Sequence, residues 1–189
     1  MDDFTPYGSD FEEALKNLGK VLTRCEQTQL SLSTEKCHMM MNEGVVLGHF
    51  ISADGIQVDP SKIRVIENIP TLGTQKEVRS FLGHVVYYRR FIENFSKLAS
   101  PLFTFLMKDV HFIWNDPCQT MFTILKKRMS TTPILRGLNW ALHFHISSDA
   151  SDTTIRAVLG QQDGQVPYAI YYISKNLSLT ELNYTVIEK

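Results

Sequence analysis

No apolar run in this chain approaches the roughly 20 residues that a membrane-spanning helix requires, which excludes an integral helical membrane protein and leads us to expect a soluble one. The amino terminus, Met1-Asp2-Asp3-Phe4, is acidic where a secretory leader is basic and then apolar. An intracellular, cytoplasmic location without a targeting peptide is therefore expected. Cysteine is scarce. Cys25, Cys37 and Cys118 are far apart and lack metal-ligand spacing, so neither a disulfide framework nor a zinc site is expected. There is no internal repeat and no low-complexity tract, and the formal net charge is only −1. What remains is 189 residues of which 43% are apolar, enough for a buried core in one ordinary domain or two small ones.

The small net charge hides an uneven distribution. Residues 1–59 hold 4 Lys/Arg against 10 Asp/Glu, residues 60–100 hold 7 against 3, and residues 101–189 hold 8 against 7. The middle is thus basic at +4, either as a solvated helical surface or as a face that follows phosphates.

Local signals divide the chain into three parts. Ser9 and Glu12 have capping-box spacing, and Phe11, Leu15, Leu18 and Leu22 recur at helical intervals, so a helix is expected to about Arg24. Asn42-Glu43-Gly44 is expected to turn the chain into Val45–Ile51 as a hairpin, with Gly48 a bulge or a point of close approach, and Ala53-Asp54-Gly55 to turn it again before a short strand at Ile56–Val58. Asp59-Pro60 starts a helix that stops before Pro70. Thr74 and Glu77 open another, in which Val78, Phe81, Leu82, Val85 and Val86 face a core. Residues 59–108 read as all-helical. Asp116-Pro117 begins a further helix with Phe122 and Leu125 inside and Lys126-Lys127-Arg128 in its last turns. Strands follow at 142–148, 157–161 and 168–174, with turns near Asp152 and at Asp163-Gly164.

Several groups could carry chemistry. Adjacent carboxylates such as Asp2 and Asp3 are suited to two hard divalent cations that activate a 3′-hydroxyl, or are merely solvated charge, and no third carboxylate is identifiable nearby. His49 is either a partly buried strand histidine or a nucleic-acid contact. Tyr87-Tyr88-Arg89-Arg90-Phe91 interleaves aromatic rings with guanidinium groups, which suits stacking on sugars or bases and forking onto phosphates; equally, the rings could be core. Asp149 at a strand end could form a turn with Ser151 or seat a metal ion. His143 and His145 alternate with apolar residues and read as structural.

These blocks together resemble the Pol polyprotein of gypsy-type LTR retrotransposons. Met1-Asp2-Asp3-Phe4 is similar to the tail of the reverse-transcriptase Tyr-x-Asp-Asp motif. Lys36-Cys37, Leu47-Gly48-His49-Phe50-Ile51-Ser52 and Gly55-Ile56-Gln57-Val58-Asp59-Pro60 are similar to the end of the palm. Arg79-Ser80-Phe81-Leu82-Gly83, Tyr87–Ile92 and Phe95-Ser96-Lys97-Leu98-Ala99 are similar to the thumb. Asp149-Ala150-Ser151, Val158-Leu159-Gly160-Gln161, Tyr171-Tyr172-Ile173-Ser174 and Leu182-Asn183-Tyr184 are similar to the opening of the RNase H domain. The blocks occur in family order along nearly the whole chain.

The resemblance implies an α+β fold. A palm remnant with a small antiparallel sheet would occupy 1–58, a helical thumb 59–108, and a tether helix with an incomplete RNase H-like mixed sheet 109–189. It implies Asp2 and Asp3 as catalytic metal ligands of the polymerase and Asp149 as the first metal ligand of the nuclease, with Mg2+ or Mn2+ in the intact enzyme and no small-molecule cofactor. Leu47, Gly48 and His49 would form the primer grip, and Tyr87, Arg89 and Arg90 would contact nucleic acid. The implied partners are primer-template or RNA–DNA hybrid and the remainder of the Pol polyprotein, in a particle-associated intact element and without a membrane.

The departures lead us to expect a fragment that is not catalytic alone. The chain opens inside the polymerase motif, without its tyrosine, the fingers or the first catalytic aspartate. It ends at Glu188-Lys189, before the glutamate and later aspartates of the nuclease, and Glu188 is not expected to substitute. Arg156 stands where the family usually has glycine, and is expected to place a bulky charge on a buried sheet. The alternative is a non-catalytic nucleic-acid-binding or scaffolding remnant.

Overall fold

The computed structural model describes residues 4–184. Helix α1 (Phe11–Gln27) begins at Asp10, whose carboxylate accepts the Glu13 N–H at 2.8 Å, while the Ser9 N–H donates to the Glu13 carboxylate. The capping pair therefore lies one residue later than Ser9 and Glu12, since aspartate serves as well as serine at an N-cap. Of its apolar stripe, Phe11, Leu15 and Leu22 are exposed, and Cys25 is the buried residue of the helix. Local periodicity was sufficient to make the helix but did not supply it with a core.

The first sheet is an antiparallel meander of β1 (Gly44–Val46), β2 (His49–Ser52) and β3 (Gly55–Val58). Its first turn is Leu47-Gly48, inside the apolar run, rather than Asn42-Glu43-Gly44. Val46 pairs with His49 and Gly44 with Ile51, which leaves a two-residue loop. Gly55 lies against the returning segment at Leu135, where a Cβ would come within 2.3 Å of the Leu135 carbonyl oxygen, and Ile56 and Leu135 exchange backbone hydrogen bonds of 2.7 and 3.0 Å.

The main core sits in the helical middle. Helix α2 (Pro60–Glu67) is capped by Asp59, and α3 (Gln75–Tyr87) by Thr74, whose hydroxyl accepts the Glu77 N–H at 3.2 Å. A 3-10 turn at Arg89–Phe91 leads to α4 (Phe95–Phe103). Helix α5 (Asp116–Ser130) is capped by Asn115 and packs against α2 and α4. Val78, Phe81, Leu82 and Val85 of α3 are buried together with Ala99 and Leu102 of α4 and Phe122, Leu125 and Met129 of α5. The Phe81 and Phe122 rings meet edge to face at 4.8 Å. Lys126 adds a tie by donating to the Ile69 carbonyl at 2.7 Å.

The second sheet joins β4 (Phe144–Ala150), β5 (Thr154–Asp163) and β6 (Val166–Asn176), followed by the one-turn helix α6 (Leu179–Leu182). It was expected to be mixed, yet its three strands pair antiparallel, because two short turns connect them and a parallel pair would need a long crossover. β6 lies against α4: the Ser96 N–H and hydroxyl bind Ser174 at 2.8 and 2.6 Å, and the Asn176 amide donates to the Ser96 carbonyl at 3.1 Å. All seven residues of β4 are exposed. No helix among the described residues is long and apolar enough to cross a membrane.

Candidate nucleic-acid interface

The structure brings the Leu47-Gly48-His49 turn and the end of α3 to one place. Leu47 and Gly48 have φ of 46° and 71°. Positive φ at both central residues is the pattern of a type I′ hairpin turn, which suits glycine or asparagine and strains leucine by about 1 kcal/mol. Two phenols answer this strain. The Tyr87 hydroxyl donates to the Leu47 carbonyl at 2.6 Å, and the Tyr88 hydroxyl to the Gly48 carbonyl at 2.7 Å. Gly48 is needed for the approach, since a Cβ there would lie 3.3 Å from the Tyr88 hydroxyl.

His49 fills the space between hairpin and helix. Its ring centroid is 5.3 Å from Tyr87, 5.5 Å from Tyr88 and 5.8 Å from Phe91. Nδ1 is 3.0 Å from the Leu47 carbonyl, and because a carbonyl only accepts, Nδ1 carries a proton there, while Nε2 is buried without a hydrogen-bond partner among the described residues. Burial, with the nearby Asp59 charge and Tyr87, pushes the Tyr88 hydroxyl up to about 12, so it remains a donor well above neutral pH.

Beside this contact lies a shallow cleft of about 300 Å³ lined by Leu47, Gly48, Lys62, Gly83, His84, Tyr87 and Tyr88. Nothing lies within 4 Å of the position a Cβ would take on Gly83, so the helix backbone is open to a ligand there. Lys62 and His84 are exposed. Neither was singled out by the sequence, because only the tertiary fold brings them beside the turn.

The two arginines of the basic motif part company. Arg89 is exposed. Arg90 is half-buried, with its guanidinium 5.0 Å from the Tyr171 ring and 5.8 Å from Phe91, and its Nε is buried without a hydrogen-bond partner. It therefore packs between the helical core and the second sheet.

Asp149 is the next-to-last residue of β4, at the end of the strand as expected, and lies directly opposite Arg156 of β5. Arg156 Nε donates to Asp149 Oδ2 at 2.7 Å and its Nη2 reaches the same oxygen, while Nη1 is 3.5 Å from Asn94 and 3.9 Å from Glu93. Arg156 is exposed, which corrects the expectation of a charge on a buried sheet: its strand position faces a neighbouring acid and solvent. A divalent cation requires free carboxylate oxygens. Asp149 Oδ2 is shared with the Arg156 guanidinium, so a single aspartate oxygen remains, and no group of three or more His, Cys, Asp or Glu converges on a metal-sized site among the described residues. The described residues around Asp149 do not fit a metal centre. Asp2 and Asp3 lie outside the described residues, as does Glu188.

Residues 114–189 match the RNase H-like domain found in reverse transcriptase. All of the chain aligns with the retrovirus-related Pol polyproteins of the Drosophila melanogaster transposons opus, at 34% identity and 20% of that protein's length, and 412, at 33% and 15%. It likewise aligns with the Tf2-3 polyprotein of Schizosaccharomyces pombe at 31% identity, covering 14% of it. The chain thus spans a fifth or less of these relatives. A foamy viral protease-reverse transcriptase solved with double-stranded DNA superposes with a TM-score of 0.82 over 97% of this chain and 32% of that one, at 24% identity. The same viral enzyme solved with an RNA/DNA hybrid gives 0.80 over 96% and 25%, at 22% identity. These likenesses establish a shared fold.

Proposed function

This chain is homologous over the whole of its length to one stretch of the retrotransposon Pol polyproteins, and from that premise we propose that it grips the backbone of a primer-template or RNA–DNA hybrid. The observation that carries the reading is the clamped Leu47-Gly48-His49 turn beside an open cleft with exposed Lys62 and His84. Gly83, with open space over its backbone, lets a nucleic-acid strand approach the protein there, and Lys62 and Arg89 supply charge for its phosphates. Such contacts position a duplex without reading its bases. The +4 balance of residues 60–100 agrees with this use. In this reading Tyr87 borders the strand, Arg89 contacts phosphate, and Arg90 serves the contact with the second sheet.

The division into palm end, thumb and RNase H-like part at 1–58, 59–108 and 109–189 belongs to the same proposal. So do DNA synthesis and hydrolysis of the RNA strand, with Asp2 and Asp3 as metal-binding carboxylates, which we assign only to the longer polyprotein.

Fluorescence anisotropy with a labelled RNA–DNA hybrid over a series of salt concentrations tests the grip. Arg89→Ala is expected to weaken binding equally across sequences and to lower the salt slope by about one, with Lys62→Ala acting alike and Arg90→Ala leaving the slope unchanged. A binding constant insensitive to salt and to Arg89→Ala and Lys62→Ala would reject the reading.

A further inference from the structure

We infer that the hydroxyls of Tyr87 and Tyr88 are positioning groups that hold the Leu47-Gly48 turn in its left-handed conformation, and thereby set the surface that meets nucleic acid. The inference deepens the nucleic-acid reading and rests on it. Three observations carry it. The two carbonyls that receive the phenols belong to the two residues of the turn with positive φ. Leucine at the first of these is a residue that the conformation disfavours, so the turn is not encoded locally. The two rings also brace one another, edge to face at 4.9 Å and 89°, with His49 against both.

Each bond spans 40 residues of chain, from the hairpin to the last residue of α3 and its C-cap. The clamp therefore couples the hairpin to the helix: a shift of the helix end must either carry the turn with it or break two hydrogen bonds. Although Tyr87 is 53% exposed, its hydroxyl is committed to protein. In this assignment Tyr87 acts on nucleic acid through the turn, with its ring face, and not through a hydroxyl-to-phosphate bond.

The test removes only the hydroxyls, in the full chain, with Tyr87→Phe and Tyr88→Phe combined. Amide exchange at residues 47–50 should rise roughly tenfold or more, the scale set by two lost hydrogen bonds. Affinity for the labelled hybrid should fall several-fold with an unchanged salt slope, because no phosphate contact is lost. Adding Leu47→Asn creates an Asn-Gly pair, which prefers the type I′ turn by itself. It should restore both slow exchange and affinity, and a purely structural fastening of hairpin to helix would not be rescued this way. Unchanged exchange in the double variant overturns the clamp. Faster exchange with unchanged hybrid affinity, or no rescue by Leu47→Asn, overturns the positioning role. If the unmodified chain fails to bind the hybrid at all, the proposed function fails and the positioning role with it, while the exchange data still report on the clamp.

Discussion

Tyr88 shows how one residue ties conformation to pH. Its hydroxyl is held at about 12 in the fold, chiefly by burial, against an ordinary value of 10.0 in an unfolded chain. The folded state therefore keeps a proton that the unfolded state loses above pH 10, and stability must fall as pH rises from about 10 to about 12. Below pH 10 this contribution is fully present. Denaturation across that window should show the decline, and Tyr88→Phe should flatten it; an identical profile in the variant would count against the assignment. The Arg156–Asp149 pair makes the opposite point. With side chains 46% and 59% exposed, it lies in the range of surface ion pairs, so Arg156→Gln should change stability by less than about 1 kcal/mol in urea denaturation. A loss of several kcal/mol would mean that the bonds to Asn94 and Glu93 fasten the sheet far more firmly than their exposure suggests.

Among the elements, α1 and α3 have equally clear helical periodicity but different fates. α3 buries Val78, Phe81, Leu82 and Val85, whereas Phe11, Leu15 and Leu22 of α1 stay exposed. Phe81→Ala should therefore cost about 3–5 kcal/mol, for a ring 1% exposed and packed on Phe122. Leu15→Ala should cost no more than about 0.5 kcal/mol. Equal losses by thermal or urea denaturation would show that α1 has a partner face in solution. Three helix starts were legible, because an Asp or Thr cap and an early proline act on the nearest few N–H groups: Asp59-Pro60, Thr74 with Glu77, and Asp116-Pro117 all open helices. The hairpin turn was not legible in the same way. Asn42-Glu43-Gly44 is a better turn by composition, yet Leu47-Gly48 is the turn because distant phenols hold it there.

On the scale of the whole molecule, one core runs from Val58 to Leu135, and the second sheet is attached to it along β6. β4 lies on the far side of that sheet, fully exposed, with no strand on its outer edge among the described residues. Hydrogen exchange should therefore grade across the molecule, slowest in α3 and α5, slower in β6 than in β4, and fastest at the outward amides of β4. Uniform protection through Phe144–Ala150 would mean that another surface covers that edge in solution. What the sequence determined by itself was the α+β composition, the starts of α2, α3 and α5, the three late strands, the basic middle and the order of the family blocks. All of these rest on interactions within a few residues or on composition. The tertiary structure alone decided that Lys62 and His84 flank the turn, that Arg90 packs on Tyr171 while Arg89 stays free, and that β5 sets Arg156 against Asp149. The partners in these contacts come from other elements, in the first two cases distant in sequence, and their geometry is set by how helices and strands pack rather than by any local preference of the chain.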